Sequence, residues 1–238
     1  MKRERIWINP TRHGFFYVTR TIYFLMTITV LVTFSTNIYA EPRTSDDLIE
    51  ISCGIENQNS KRILIAYDTI HGSTAEVAEY IGNELCNLGH QVDVELASNV
   101  TDVNLYDAVI VGSAIYQFDW LEGAKEFLQQ SQTVLSKLPT AYFIVGASMS
   151  EDTPENREEV KRIFVDPILE EFADITPLSI GLFGGAVDFN TNQYNLFEKI
   201  VLRILGKLLG YKDNADWRNW GTISSWTKDL SEQFILSE

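Results

Sequence analysis

Between residues 62 and 183 the chain returns five times to a short run rich in apolar and β-branched residues: "RILIAY" (62–67), "QVDVEL" (91–96), "DAVIVGS" (107–113), "AYFIVG" (141–146) and "LSIGLF" (178–183). Helical spacing fills most of the gaps. Val77, Ile81, Leu85 and Leu88 share one helix face, and Gly89 closes that helix. Leu121, Ala124, Leu128 and Leu135 mark a second helix. Asp152 or Thr153 opens a third before Pro154, with Val160, Ile163 and Phe164 inside, and Pro167 kinks or ends it. A last helix is predicted from near Asp216, burying Trp220, Ile223, Thr227, Leu230 and Phe234. Strands that are apolar on both faces need helices on both sides. The pattern therefore predicts an α/β fold, a doubly wound parallel sheet of five strands.

In that class of fold, ligands sit beyond the carboxyl ends of the strands, where the strand order reverses. The first run leads there directly, into "YDTIHGSTAEVAEYIGNEL" (67–85). Gly72 lets backbone amides approach a ligand closely. Thr69, Ser73 and Thr74 add hydroxyls, and the helix that follows points its positive end at the turn. No lysine is present, so this is not a nucleoside-triphosphate loop, and Gly-x-Gly-x-x-Gly is absent as well. Hydroxyls and amides without a cation suit a terminal monophosphate held without a metal. The alternative is an ordinary strand-to-helix turn. His71 either donates to the phosphate or points to water, and water is the expectation.

The amino-terminal 40 residues stand apart. Lys2, Arg3, Arg5, Arg12 and Arg20 precede a charge-free stretch from Thr21 to Ala40 whose centre, "IYFLMTITVLVTF" (22–34), is apolar. That order predicts a secretory signal, with Ile38 an unusual residue beside its cleavage site. The stretch is also long enough to span a bilayer as an uncleaved anchor. Either reading leaves the domain outside the cytoplasm, on the periplasmic side in a bacterium. A buried amino-terminal helix is the remaining alternative. The rest of the chain holds 14 basic and 32 acidic side chains, a net charge of −18. Such a body lacks the basic footprint of a nucleic-acid surface. Residues 41–60 read as a polar linker, and 61–238 as the folded domain. Cys53 and Cys86 form no CxxC pair, and three histidines supply no metal-ligand cluster. Two unpaired thiols are expected; a bridge from the linker to the first helix is the alternative.

The 67–85 segment resembles the FMN-phosphate loop of flavodoxin-like proteins, Ser/Thr-x-x-Gly-x-Thr, through Thr69, Gly72 and Thr74. Later segments match in order. "VGSAIYQFDW" (111–120) resembles the loop flanking the isoalloxazine, and "VGASMSEDTPENREEV" (145–160) resembles the loop after the fourth strand. Gly184-Gly185 and "DWRNWGTISSW" (216–226) are similar to the branch of menaquinone-dependent protoporphyrinogen dehydrogenases and their flavodoxin-domain relatives. The resemblance runs from about residue 61 to 236. It implies strand order 2-1-3-4-5 and FMN as cofactor. It adds Gly146, Ala147, Ser148, Gly184 and Gly185 to the candidate site. A bound flavin ring needs close backbone approach and an aromatic cover. Ser113, Ala114 and Ile115 supply the first and Tyr116 the second, with Phe118 and Trp120 as alternatives. A Tyr116 packed on its own loop is the plainer reading.

The segment "YNLFEKIVLRILGKLLG" (194–210) departs from a simple electron carrier. Leu196, Phe197, Ile200, Val201, Ile204, Leu205 and Leu208 form a wide apolar face, and Lys199, Arg203 and Lys207 a basic row. On an acidic domain this reads as a membrane-surface element, or else as a core helix with solvated lysines and arginine. Two functions compete. One is an FMN oxidoreductase passing electrons between a reduced substrate and a quinone at a membrane; the resemblance implies a protoporphyrinogen IX-like substrate. The other is an electron carrier docking redox protein partners through its acidic surface. A domain that has lost FMN and only binds a partner is a third. The resembled enzymes work on the cytoplasmic side, which sets the outward-facing amino terminus against that substrate.

Overall fold

The computed structural model describes residues 51–54, 60–188, 199–200, 203 and 214–237. Strand β1 (Ile51–Cys53) comes first, then β2 (Arg62–Asp68), helix α1 (Ser73–Asn87) and β3 (Gln91–Leu96). β4 (Ala108–Tyr116) and β5 (Asp119–Trp120) form a hairpin that leads into α2 (Glu122–Leu135). β6 (Thr140–Gly146), α3 (Pro154–Phe164), α4 (Asp166–Glu171) and β7 (Ser179–Gly184) follow. The last elements are β8 (Ala186–Val187), β9 (Ala215–Asp216) and α5 (Trp220–Leu236).

The main sheet runs β1-β3-β2-β4-β6-β7. Its five parallel members stand in the expected order, 2-1-3-4-5. β2 lies at the centre, with Ile65 between Val94 of β3 and Ile110 of β4. Both faces are buried by alternation. Ile63, Ile65 and Tyr67 point to one side, where α1 residues Val77, Ile81 and Leu85 and α5 residues Ile223, Leu230 and Phe234 cover them. Leu64 and Ala66 point to the other, under Ala124, Phe127 and Leu128 of α2 and Val160 and Phe164 of α3. Burial on both faces explains why the runs of β2, β4 and β6 are apolar almost throughout, whereas in β3 Gln91, Asp93 and Glu95 alternate with the buried Val92 and Val94.

Helix ends follow local chemistry. Gly89, at φ 96°, lets the amide of His90 reach the Leu85 carbonyl (3.1 Å) and its own amide reach that of Cys86 (3.0 Å). That is the six-to-one, five-to-two closure glycine permits. Thr153 proves to be the cap of α3, its hydroxyl accepting from the Asn156 amide at 3.2 Å. α3 stops at Phe164, and Pro167 sits in the first turn of α4. α5 begins at Trp220, later than the sequence pattern predicts, because Asp216 is in β9 and the Asn219 side chain caps the helix by accepting from Thr222.

The polar segment 41–60 is more than a linker. Ile51, Ser52 and Cys53 pair antiparallel with Val94, Asp93 and Val92 at the outer edge of β3. The expectation of unpaired thiols is overturned: Cys53 is bonded to Cys86, with Cα atoms 6.1 Å apart, an ordinary spacing for a disulfide. Sequence could not show this, because only the β1–β3 pairing brings Cys53 beside the last turn of α1. Next to it the buried His90 bridges two elements. Its Nδ1 accepts from the Lys61 amide at 3.2 Å and its Nε2 lies 2.7 Å from the Ser231 hydroxyl of α5.

Candidate functional site

The carboxyl ends of β2, β4, β6 and β7 deliver one loop each to the same pole of the sheet. The loop after β2 is the most constrained. Thr69 is buried, and its hydroxyl accepts from the Gly72 amide at 3.0 Å. Gly72 then turns left-handed, at φ 85° and ψ −14°, and starts α1 with no side-chain cap. The first amides of a helix have no partner within it, so an uncapped start leaves donors facing the turn. Thr74 follows, 0% exposed, and its Oγ1 has no hydrogen-bond partner. A buried hydroxyl without a partner is costly. Here it sits where an anion would satisfy it together with the uncapped amides. Ser73 is half-buried at the same turn.

Asp68 holds this loop from behind. Its carboxylate accepts from the Thr69 amide at 2.8 Å and from the Gly123 and Ala124 amides at the start of α2. One side chain thus ties the loop after β2 to the helix after the β4–β5 hairpin. Gly123 has no room for a side chain, since a Cβ there would fall 2.5 Å from Asp68 Oδ2. Burial raises the Asp68 pKa above the usual carboxylate range despite the lowering by these amides. Sequence reading missed Asp68 as a site residue; its position after five buried strand residues was the available signal.

The β4 loop meets the first one through His71 and Tyr116, whose ring centroids lie 6.2 Å apart at 69°. Ala114, Ile115 and Tyr116 are half-buried along this rim. Ser113 is turned inward: its hydroxyl donates to the Ala114 carbonyl and accepts from the Leu121 amide, each at 2.9 Å. It fixes the hairpin rather than facing the pole. Gln117 and Phe118 form the hairpin tip with φ of 49° and 68°, a conformation that ordinarily selects Asn or Gly. Phe118 is half exposed there. Trp120, an alternative cover in the sequence, is buried instead; its indole N–H donates to the Phe164 carbonyl at 2.7 Å and its ring packs on Tyr142.

The loops after β6 and β7 close the rim. The Gly185 amide donates to the Gly146 carbonyl at 3.1 Å. A Cβ on Gly146 would stand 3.2 Å from Ile115 Cβ and 3.3 Å from Ser148 Oγ, so Ile115, Gly146, Ser148 and Gly185 converge. Ser148 Oγ, like Tyr142 Oη in the core, is also a buried hydroxyl without a partner. Ala147 is exposed. Asn156 of α3 pins the loop by donating to the carbonyls of Ser148 (2.8 Å) and Glu151 (2.7 Å). Gly184 serves packing: a Cβ would lie 2.2 Å from the Trp217 carbonyl oxygen. Beside Trp217, Arg218 forms a paired fork with Asp216 (2.9 and 2.8 Å) and reaches Glu76 in the first turn of α1 (2.5 Å). Its fork holds the Asp216 carboxyl below the ordinary range.

These loops, on a sheet of order 2-1-3-4-5, place the buried Thr74 and Ser148 hydroxyls and a rim of small residues at the switch point of an α/β protein. A flavodoxin domain family model matches residues 64–216, more than half of the chain. The chain belongs to that family and has the flavodoxin-like fold. Among characterised relatives it is similar to protoporphyrinogen IX dehydrogenase [quinone] of Escherichia coli strain K12, 20% identical over 179 residues, covering 71% of this chain and 94% of the relative. The protein of the same name from Leishmania major is 18% identical over 184 residues, covering 72% and 75%. A flavodoxin from the domain Archaea superposes with a TM-score of 0.43 at 17% identity, over 73% of this chain and 98% of that one.

Proposed function

We propose that the domain binds FMN non-covalently at this pole and passes electrons between a small reduced substrate and a quinone at a membrane. The buried, partnerless Thr74 hydroxyl at the uncapped start of α1 carries the reading. It fits a terminal phosphate and has no other evident purpose. FMN, once bound, supplies one- and two-electron transfer. The chain supplies position: Thr69 shapes the turn, Gly72, Ser73 and Thr74 present donors to the phosphate, and Ala114, Ile115, Gly146, Ser148 and Gly185 line the ring side. Tyr116 offers an aromatic face beside His71. A protoporphyrinogen IX-like reductant and a quinone acceptor are supported by the names of the distant relatives.

The membrane part rests on two segments. Residues 21–40 suit an anchor or signal, and the Cys53–Cys86 bond is of the kind that persists in oxidising compartments. Both favour a domain outside the cytoplasm. Of the 194–210 segment, Lys199, Ile200 and Arg203 are helical and Ile200 is 49% exposed, as a membrane-surface face requires; the other positions lie outside the described residues. Among the described residues no helix is long and apolar enough to cross a membrane.

The electron-carrier reading draws on the acidic rim. Much of that rim is already engaged, however: Asp119 with Lys125, Asp152 with Arg157, and Asp216 and Glu76 with Arg218. Internal pairing leaves less charge to steer a basic partner. The test is the acceptor preference of the purified chain loaded with FMN. Changing Lys199, Arg203 and Lys207 together to glutamate should raise the apparent KM for a lipid-soluble quinone in vesicles, leaving that for a water-soluble quinone and the FMN content unchanged. Equal effects on both acceptors would favour the carrier reading.

A further inference from the structure

The hairpin after β4 holds an exposed ring on a strained backbone. β4 and β5 pair Tyr116 with Asp119 and Ile115 with Trp120, so Gln117 and Phe118 are the whole turn. Both have positive φ, 49° and 68°. A two-residue hairpin turn of that kind selects Asn-Gly, Asp-Gly or Gly-Gly, because a larger side chain crowds the carbonyl that follows it. Gln-Phe is a strained choice. The foot of the hairpin is held by other residues. Trp120 is buried with its indole N–H on the Phe164 carbonyl (2.7 Å), the Ser113 hydroxyl accepts from the Leu121 amide (2.9 Å), and Asp119 pairs with Lys125 (2.9 Å). Phe118 itself is 50% exposed. Other large apolar side chains are as open, but Leu88 closes α1, Leu105 precedes β4 and Leu178 precedes β7, all at the amino ends of the strands. Phe118 is at the carboxyl ends, beside the cofactor pole.

We propose that Phe118 is a specificity-determining residue, a ring on which the face of a quinone packs as it meets the reduced cofactor. The proposal rests on the FMN reading above and adds the residue that selects the acceptor. Tyr116 is half-buried, with its ring centroid 6.2 Å from that of His71. Phe118 comes two residues later, up to roughly 7 Å further along the chain, at the tip that an incoming molecule meets first. Strain of this sort persists where the surrounding structure holds it and tends to cluster at functional positions. Packing of two rings adds roughly twofold to tenfold in affinity beyond the area they bury. An acceptor without an apolar ring gains none of this. In the transfer, two electrons and two protons leave the reduced flavin for the quinone. The quinone departs as the hydroquinone and the flavin returns to its oxidised form.

Two substitutions separate the ring from the turn. Phe118→Gly removes the ring and relieves the positive φ, whereas Phe118→Tyr keeps both. The full chain is loaded with FMN, reduced without oxygen by a stoichiometric amount of dithionite, and mixed rapidly with menadione or with ferricyanide. Phe118→Gly should lower the second-order rate constant for menadione roughly twofold to tenfold. Its rate with ferricyanide and its FMN affinity should match the wild type, and the apoprotein Tm should hold or rise. Phe118→Tyr should keep the wild-type rate with menadione. An unchanged menadione rate in Phe118→Gly would overturn the proposal. Equal slowing with both acceptors, or a loss of FMN affinity, would make Phe118 a cover of the flavin and overturn it as well. Each of these results leaves the cofactor reading standing. A wild-type chain that takes up no FMN would overturn the cofactor reading and this inference together.

Discussion

Two threonines in one turn have different tasks, and this separates binding from stability. Thr69 spends its hydroxyl inside the loop on the Gly72 amide. Thr74 has no such use for its own. Replacing Thr74 by the isosteric Val removes a buried unsatisfied group, which is neutral or stabilising for the ligand-free fold. It also removes a donor to the phosphate, worth roughly 1–3 kcal/mol, or about fivefold to 150-fold in affinity. Titration with FMN should show that loss while the apoprotein Tm holds or rises. Unchanged affinity would show that Thr74 does not face the phosphate. His90 governs a different property. Burial first, and then the nearby Lys61 charge, lowers its pKa from the ordinary value. Protonation would also turn its Nδ1 from acceptor to donor against the Lys61 amide. The folded state thus binds fewer protons here than the unfolded one. Its contribution is present in full above about pH 6.5 and is lost as pH falls below that, towards the lowered folded value. Thermal unfolding of the apoprotein should show Tm falling between about pH 7 and 5, and His90→Asn, which keeps an acceptor, should flatten the slope.

At the scale of elements, the strands of the parallel sheet, the helix closed by Gly89 and the helix opened at Asp152 or Thr153 were legible from apolar runs and end signals, while the strand order came only through the family resemblance. The short strands were not legible. β1, β5, β8 and β9 have two or three residues each, too few for any period, and exist only through their partners. β1 is the instructive case: Ile51-Ser52-Cys53 reads as linker until Val94 stands opposite. It also covers the outer edge of β3, which would otherwise offer unpaired backbone groups. The cradle was legible as a motif, whereas Asp68 and Asn156 were not, since their partners lie on other loops. The disulfide closes a 33-residue separation, and such a bond stabilises by roughly 2–4 kcal/mol. Cys53→Ser should lower the denaturant midpoint accordingly, and reductant should lower the wild type to the same value. If reductant has no effect on the wild type, the bond does not form in solution.

For the whole molecule, the loop after β2 and the rim of small residues converge on one pole, and residues 41–238 carry a net charge of −18, which suits solubility. The membrane and quinone readings presuppose a flavin at that pole, so cofactor identity is the central claim. The most direct measurement is the flavin bound by the full chain purified in detergent, recorded as an absorption spectrum and followed by release and chromatography. The account predicts FMN at close to one per chain, rebound by the stripped protein in preference to FAD, with Thr69→Ala/Thr74→Ala purified largely empty. A chain that carries no flavin and binds none when stripped and titrated, or one that takes FAD but not FMN, would contradict it.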